Sequence, residues 1–229
     1  MNSRFSQSDP SPRSALGQQQ FRFSSLKQLP VQSLVLPVLV SLGLGALLLP
    51  PAAQAHHLME LLHLQPTPLT GLLSGVAHPW FGPDHLLFLL ALALVGLSHR
   101  RRWMLALLVA GLIGTCSGLL LPGLPATEAL VSFTLVVEAL VLLGRLPAAV
   151  LLPAFLIHGY GLSTSVLGWT QAPIAFYLLG LLLSQGALLL LSLTLLQRAS
   201  ARLAVSGRQV LAAALLGCGA AWTWSSLVG

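Results

Sequence analysis

The sequence HPWFGPDH, residues 78–85, places two imidazoles and a carboxylate inside a long apolar stretch of the chain. An ionisable side chain in a membrane-spanning segment costs at least about 2.5 to 3.5 kcal/mol on insertion scales, so it indicates a functional site. Two prolines and a glycine in the same stretch disfavour one regular helix. We predict a bend, with a helix that begins again near Pro83 and carries Asp84 in its first turn. This bend turns His78 towards Asp84 and His85, in the outer half of a bilayer.

The composition indicates an integral membrane protein. Of the 229 residues, 55% are hydrophobic and only 7% are charged, and the mean hydropathy is +0.86. An ordinary soluble domain has roughly 25% charged residues. The sequence pI near 10.7 does not indicate nucleic-acid binding, because the cations form no dense patch with interleaved aromatic residues. Cys116 and Cys218 lie in apolar stretches without a CxxC pattern, and we interpret them as buried thiols.

Residues 1–55 are predicted to form a leader with a cleaved secretory signal peptide. Residues 1–33 are rich in Ser, Gln and Pro, residues 34–49 are apolar, and an A-x-A site follows at residues 53–55. A basic region, an apolar core and a small-residue site together are typical of a signal peptide, with cleavage before His56. An uncleaved membrane anchor is the alternative.

Residues 56–68 are predicted to be an exported arm that contains several histidines. His56 and His57 open it, and Glu60 and His63 share a helical face with His56 through i, i+4, i+7 spacing. An N-terminal amine beside histidine is a good ligand set for a borderline metal, so the arm can capture a divalent ion. A solvated amphipathic stub without metal affinity is the alternative.

Residues 69–229 are predicted to form a transmembrane domain. The chain there divides into apolar segments of about the length needed to cross some 30 Å of hydrocarbon. Helices are expected, because backbone groups in lipid must be satisfied internally and the segments lack the alternation of a barrel. The fold class is therefore all-α, a polytopic bundle of about six transmembrane helices. The predicted spans are residues 69–98, 103–121, 127–144, 147–167, 173–196 and 209–228.

The cations after the signal region predict the orientation of the bundle. All of them fall in alternate connections between the spans, and the intervening connections have none. By the positive-inside rule these connections are cytoplasmic, so both ends of the mature chain lie outside. An exported N-terminus agrees with this orientation. The cations are Arg100, Arg101, Arg102, Arg145, Arg198, Arg202 and Arg208.

Three further ionisable residues at membrane depth are Glu128, Glu138 and His158. At 1.5 Å per residue, Asp84 lies roughly 20 Å above the inner boundary of its span and His158 roughly 16 Å above that boundary, so the two can meet. We interpret Glu138 as a relay or exit ligand and Glu128 as a carboxylate at a helix N-terminus. For His158, a metal-handling role and a satisfied interior histidine both stay open.

Histidine nitrogen combined with carboxylate oxygen suits Ni²⁺, Co²⁺ or Zn²⁺. The sequence lacks the HExxH, GxSxG and P-loop motifs, so we expect neither an enzyme nor a primary pump. An intramembrane hydrolase that uses His and Asp is disfavoured because no nucleophile motif accompanies them. A divalent cation that moves inward through ~100 mV gains about 4.6 kcal/mol, which is ample for concentrative uptake.

The chain resembles the HupE/UreJ family of hydrogenase and urease accessory membrane proteins over essentially all of its mature length. An H-x5-D-H signature within GVAHPWFGPDHLLFLLAL carries the resemblance most specifically, and LIHGYG at residues 156–161 supports it more weakly. Many members have a second histidine and an acidic residue after the fourth-span His-Gly, whereas Tyr160 and Gly161 follow here. Two more matching features are the A-x-A signal before His56-His57 and the PGLPxxE loop that ends at Glu128.

The resemblance implies six helices and a secondary nickel or cobalt permease that supplies metalloenzymes or cobalamin synthesis, in the cytoplasmic membrane of a prokaryote. It implies that His78, Asp84, His85 and His158 handle the metal. No cofactor is expected to be tightly bound, Ni²⁺ or Co²⁺ is the cargo, and Zn²⁺ is a weaker candidate. The expected partners are the metal ion and the lipid bilayer, and a homo-oligomer or a metallochaperone contact is compatible with the sequence. A non-transporting accessory protein or metal sensor is the rival function.

Overall fold

The computed structural model describes residues 65–99, 101–199 and 205–228. The predicted signal peptide with its Ala53-Gln54-Ala55 site, and residues 56–64 of the predicted exported arm with His56 and His57, lie outside these residues. The described residues form seven α-helices with two short 3-10 helices, Ala148–Val150 and Thr164–Val166. The α-helices are α1 Pro68–Phe81, α2 Pro83–Gly96, α3 Arg101–Leu120, α4 Thr127–Leu142, α5 Leu151–Gly161, α6 Gln171–Ala199 and α7 Val205–Val228.

The predicted all-helical membrane bundle is confirmed. Four segments are long and apolar enough to cross a bilayer, and the bent pair α1–α2 becomes a fifth if it forms one span. Helix α4 has 16 residues, about 24 Å at 1.5 Å per residue, and it falls short of that length. The count of about six spans therefore stays a prediction.

The first predicted span is broken at Gly82. Helix α1 continues through Pro79 and ends at Phe81, and α2 begins at Pro83 with an axis bent by 73° from that of α1. The Gly82 N–H donates to the His78 carbonyl at 3.1 Å, and the Gly82 carbonyl accepts from Leu86 N–H at 2.9 Å. Gly82 therefore caps both helices, the C-terminus of α1 and the N-terminus of α2. The predicted restart at Pro83 agrees with this geometry.

Helix α2 lies in the centre of the bundle. The outer helices pack mainly in pairs, α1 with α6, α3 with α5 and α4 with α7, and α2 contacts α4 and α6 across the middle. Phe88, Leu92 and Ala93 of α2 are fully buried. Because Asp84 and His85 occupy the first turn of the same helix, the bend delivers them into the interior of the bundle.

Small residues set the distance between paired helices. A Cβ on Gly114 of α3 would collide with the carbonyl of Leu156, and one on Gly159 of α5 would collide with the carbonyl of Gly111. Backbone therefore lies directly against backbone in this pair. Cys116 lies about 200° around α3 from Gly114, on the face away from α5, and it is exposed. The interpretation of Cys116 as a buried thiol is wrong for that reason.

Two glycines of α6 provide a matched test of this packing. A Cβ on Gly180 would lie within 3.0 Å of backbone atoms of α1, whereas a Cβ on Gly186 would meet only Leu108 Cδ2, at 3.7 Å. We expect Gly180→Ala to destabilise the protein by about 1–3 kcal/mol, since the backbone cannot yield as a side chain can. Thermal unfolding in detergent measures the difference. Equal melting temperatures for Gly180→Ala and Gly186→Ala would contradict the close α1–α6 contact.

Candidate metal centre

His78 lies in the last turn of α1 and faces α6. Its Nδ1 atom is 3.1 Å from the hydroxyl of Tyr177 and 3.2 Å from the hydroxyl of Ser165. Tyr177 is fully buried, and His78 is 9% exposed. The tyrosine hydroxyl also donates to the Leu162 carbonyl at 2.6 Å, so it ties the end of α5 to the histidine.

Asp84 and His85 lie at the N-terminus of α2, where free backbone N–H groups favour a carboxylate. One oxygen of Asp84 accepts the His85 backbone N–H at 2.9 Å. Both residues are buried, with exposures of 5% and 3%. The ring centroids of His78 and His85 are 5.1 Å apart. The break in the first span therefore brings the two imidazoles and the carboxylate into one cluster.

His158 of α5 completes the cluster from the opposite side. Its Nε2 atom is 2.7 Å from His85 Nδ1, and its own Nδ1 atom is 2.7 Å from the hydroxyl of Thr134 on α4. Phe88 stacks on the ring with centroids 4.1 Å apart and an interplanar angle of 16°. Both ring nitrogens of His158 are thus engaged by protein groups, and its flat face is covered.

Gly82 leaves the space that the His85 ring needs. A Cβ at residue 82 would lie 2.6 Å from His85 Cδ2 and 3.2 Å from Asp84 Oδ1. The backbone there has φ −88° and ψ 105°, which is open to any residue. The glycine is therefore required for its small size and not for an unusual conformation.

Within the described ranges, no three His, Cys, Asp or Glu side chains are already arranged to hold one metal ion. His78, Asp84 and His85 are nevertheless neighbours, and the Asp84 carboxylate is held to the backbone by one oxygen. The cluster can therefore bind a divalent cation through nitrogen and oxygen once its side chains adjust.

Glu138 is separate from the hydrogen-bonded histidines. It is fully buried on α4, and neither of its oxygens has a hydrogen-bond partner among the described residues. It follows Thr134 by one helical turn, about 6 Å along the axis. An unpaired carboxylate in such surroundings is costly, so the residue has to be neutral or matched by a cation.

Glu128 and Tyr160 lie away from the cluster. Glu128 is exposed in the first turn of α4, as expected of a carboxylate at a helix N-terminus. The hydroxyl of Tyr160 donates to the Leu121 carbonyl at 2.6 Å and accepts from Leu124 N–H at 3.0 Å. The residue that follows the fourth-span His-Gly therefore fastens the loop between α3 and α4, and it adds no ligand to the cluster.

Sequence reasoning missed the hydroxyl groups that surround the histidines. Thr134, Ser165 and Tyr177 contact His158 or His78 directly, and none of them belongs to a recognisable motif. One signal was available, because Thr134 precedes Glu138 by four residues and so shares its helix face. No comparable signal marks Tyr177 or Ser165.

Removal of the Tyr160 hydroxyl tests its role in holding the α3–α4 loop. We expect Tyr160→Phe to remove both hydrogen bonds to the α3–α4 loop and to speed amide exchange across residues 121–126, because the loop loses its only described side-chain tie to α5. Hydrogen exchange with mass spectrometry measures this. Exchange around His158 should stay unchanged. Unaltered protection of the loop would refute the assignment.

Comparison with known proteins gives one result. The family model described as HupE / UreJ protein matches residues 44–222, which is more than half of the chain. No curated protein and no solved structure matches the chain. The match includes every residue of the histidine cluster.

Proposed function

This chain belongs to the HupE/UreJ family, and from that premise we propose that it is a secondary transporter for a divalent transition metal, nickel or cobalt. Membership is consistent with a metal transport or accessory role. The cargo would supply metalloenzyme maturation or cobalamin synthesis. No step in this proposal calls for catalysis by the protein.

The cluster of His78, Asp84 and His85 carries the proposal. Ionisable groups inside a membrane-spanning segment are costly, and the break in the first span at Gly82 brings these three together. Two imidazoles and one carboxylate are a ligand set of intermediate hardness, suited to Ni²⁺ and Co²⁺. The ion exchanges part of its hydration shell for these three side chains.

The inward route leads past an aromatic pair towards Glu138. Phe88 follows His85 by one turn on α2, stacks on His158, and lies 5.0 Å from the ring of Phe155. Both phenylalanines are fully buried, so the pair closes the inner side of the cluster. Transport requires these rings to move, after which the Glu138 carboxylate receives the ion.

The exported histidine arm and the orientation of the bundle fit inward transport. His56 and His57 would concentrate the ion outside, and the arginine-bearing connections would face the cytoplasm. The membrane potential alone favours entry of a divalent cation by about 4.6 kcal/mol at ~100 mV. A metallochaperone at the inner face or a second copy of the chain would be further partners.

The rival function is a metal-binding accessory protein or sensor that does not transport. The described residues hold no ready three-ligand group, and Tyr160 is committed to a loop. These two observations favour binding that is weak or slow. Flux separates the two functions, because a sensor binds the ion without passing it.

Metal flux into proteoliposomes tests the proposal directly. We expect saturable, potential-driven uptake of Ni²⁺ or Co²⁺ by the intact protein, and a loss of at least ~10-fold in Asp84→Asn, since the amide keeps the shape of the carboxylate but not its charge. Glu128→Gln is the matched control, because it makes the same charge change at an exposed helix N-terminus. Binding without flux in the intact protein would establish the accessory function instead.

Glu138→Gln separates entry from passage. The substitution keeps the size of a fully buried side chain, so we expect the outer cluster to bind metal with unchanged affinity while uptake falls about 10-fold or more. Equilibrium binding and flux are measured on the same preparation, again with Glu128→Gln as the control. Normal uptake in Glu138→Gln would remove this residue from the route.

A further inference from the structure

We infer that Thr134 and Tyr177 fix the tautomers of the clustered histidines, so that His78 and His85 present Nε2 to the metal. In this arrangement His158 is a positioning residue that orients His85 and does not itself bind the ion. The metal-binding part of the inference rests on the proposed function. The tautomers themselves are properties of the metal-free protein.

Thr134 determines which nitrogen of His158 carries the hydrogen. Its hydroxyl oxygen is 2.6 Å from the carbonyl oxygen of Val131, and a carbonyl has no proton to give. The threonine proton must therefore lie between these two oxygens. The same hydroxyl oxygen is 2.7 Å from His158 Nδ1, so the proton in that contact must come from the ring. His158 accordingly carries its hydrogen on Nδ1.

The tautomer of His158 in turn determines the tautomer of His85. An imidazolium here would be buried beside a second imidazole with no carboxylate hydrogen-bonded to it among the described residues, which is costly, so His158 is neutral and its Nε2 is an acceptor. His85 Nδ1 lies 2.7 Å from that acceptor and must supply the proton. With its hydrogen on Nδ1, His85 has its lone pair on Nε2. A threonine on α4 thus decides which nitrogen of a histidine on α2 can bind a metal.

Tyr177 has the same effect on His78. Its hydroxyl is 2.6 Å from the carbonyl oxygen of Leu162, which again requires the phenolic proton to lie in that contact. His78 Nδ1, 3.1 Å away, can then bond to the tyrosine oxygen only as a donor. The hydroxyl of Ser165 lies 3.2 Å from the same nitrogen and also bonds to Tyr177, so it can accept from His78 as well. The lone pair of His78 is therefore also on Nε2. Two separate hydroxyl groups lead to the same tautomer in both candidate ligands.

This arrangement is the one that metal-binding histidines generally need. The nitrogen that does not bind the ion donates its hydrogen to a fixed acceptor, which sets both the tautomer and the direction of the ring. Loss of such an acceptor typically weakens metal binding 10–100-fold. His158 serves as this acceptor for His85, and both of its own nitrogens are engaged.

Nitrogen NMR of the metal-free protein with ¹⁵N-labelled histidine tests the inference. We expect His78, His85 and His158 each to show a protonated Nδ1 and an unprotonated Nε2, with signals assigned by replacing each histidine in turn. Detection of the Nε2–H tautomer at any of the three histidines in the intact protein would overturn the inference. The tautomers are read in the intact protein, and they do not depend on any metal activity.

Substitution of Thr134 adds a readout that a purely structural role would not give. Thr134→Val removes the hydroxyl that accepts from His158 Nδ1–H and leaves the Val131 carbonyl as the nearest remaining acceptor. We expect the loss of the 2.7 Å contact to shift His158 towards the Nε2–H tautomer, and His85 with it. His78 should keep its tautomer in that variant. Thr134→Ser should restore all three signals. If His85 does not respond to Thr134→Val, the proposed relay between the rings is wrong.

Tyr177→Phe is the reciprocal variant, and it should alter His78 while His85 and His158 stay as they are. Ni²⁺ titration then connects the tautomers to binding. We expect Thr134→Val to weaken Ni²⁺ affinity about 10–100-fold and Thr134→Ser to retain it. If the intact protein has the expected tautomers but binds no Ni²⁺ or Co²⁺, the proposed function fails and the tautomer assignment stands. Unchanged Ni²⁺ affinity in a Thr134→Val protein whose rings have changed tautomer would overturn Nε2 ligation.

Discussion

The contact between His85 and His158 is the interaction on which the arrangement of this bundle depends. It joins the first turn of the central helix α2 to α5 through a 2.7 Å hydrogen bond between two buried rings. A polar group buried without a partner is costly. The His85–His158 bond and the bond from His158 to Thr134 therefore lower the free-energy cost of burying the two rings inside the membrane bundle. The hydrogen bonds of these two imidazoles link α2, α5 and α4 to one another.

The sequence was sufficient for the parts of this arrangement that are local. Proline and glycine in the stretch of residues 78–85 located the break to within a residue, since their effects act through the backbone itself. The spacing of apolar runs gave an all-helical bundle, and depth counted from the arginine-bearing connections placed Asp84 and His158 at compatible heights. These predictions succeeded because each depends on residues close together in the chain.

What could not be predicted depends on which helix packs beside which. The pairs α1–α6 and α4–α7 join segments far apart in sequence, so Tyr177 beside His78 had no local signature. Thr134 was hidden for another reason, because a threonine in a helix ordinarily bonds to a carbonyl three or four residues back, and this one does so as well. Only the second contact of the same oxygen, to His158, reveals its role.

The packing also limits which parts of the molecule could move in the proposed transport. In the α1–α6 and α3–α5 pairs, backbone lies against backbone at glycines, so the two helices of each pair cannot slide without collision. Helix α2 is held differently, by the side chains of residues such as Phe88 and Leu92 and by the hydrogen bond of His85 to His158. Side-chain contacts can rearrange while backbone contacts persist. In the proposed transport, the rearrangement would therefore fall on side-chain contacts of α2, such as the stacking of Phe88 on His158, while the backbone-packed pairs stay in place.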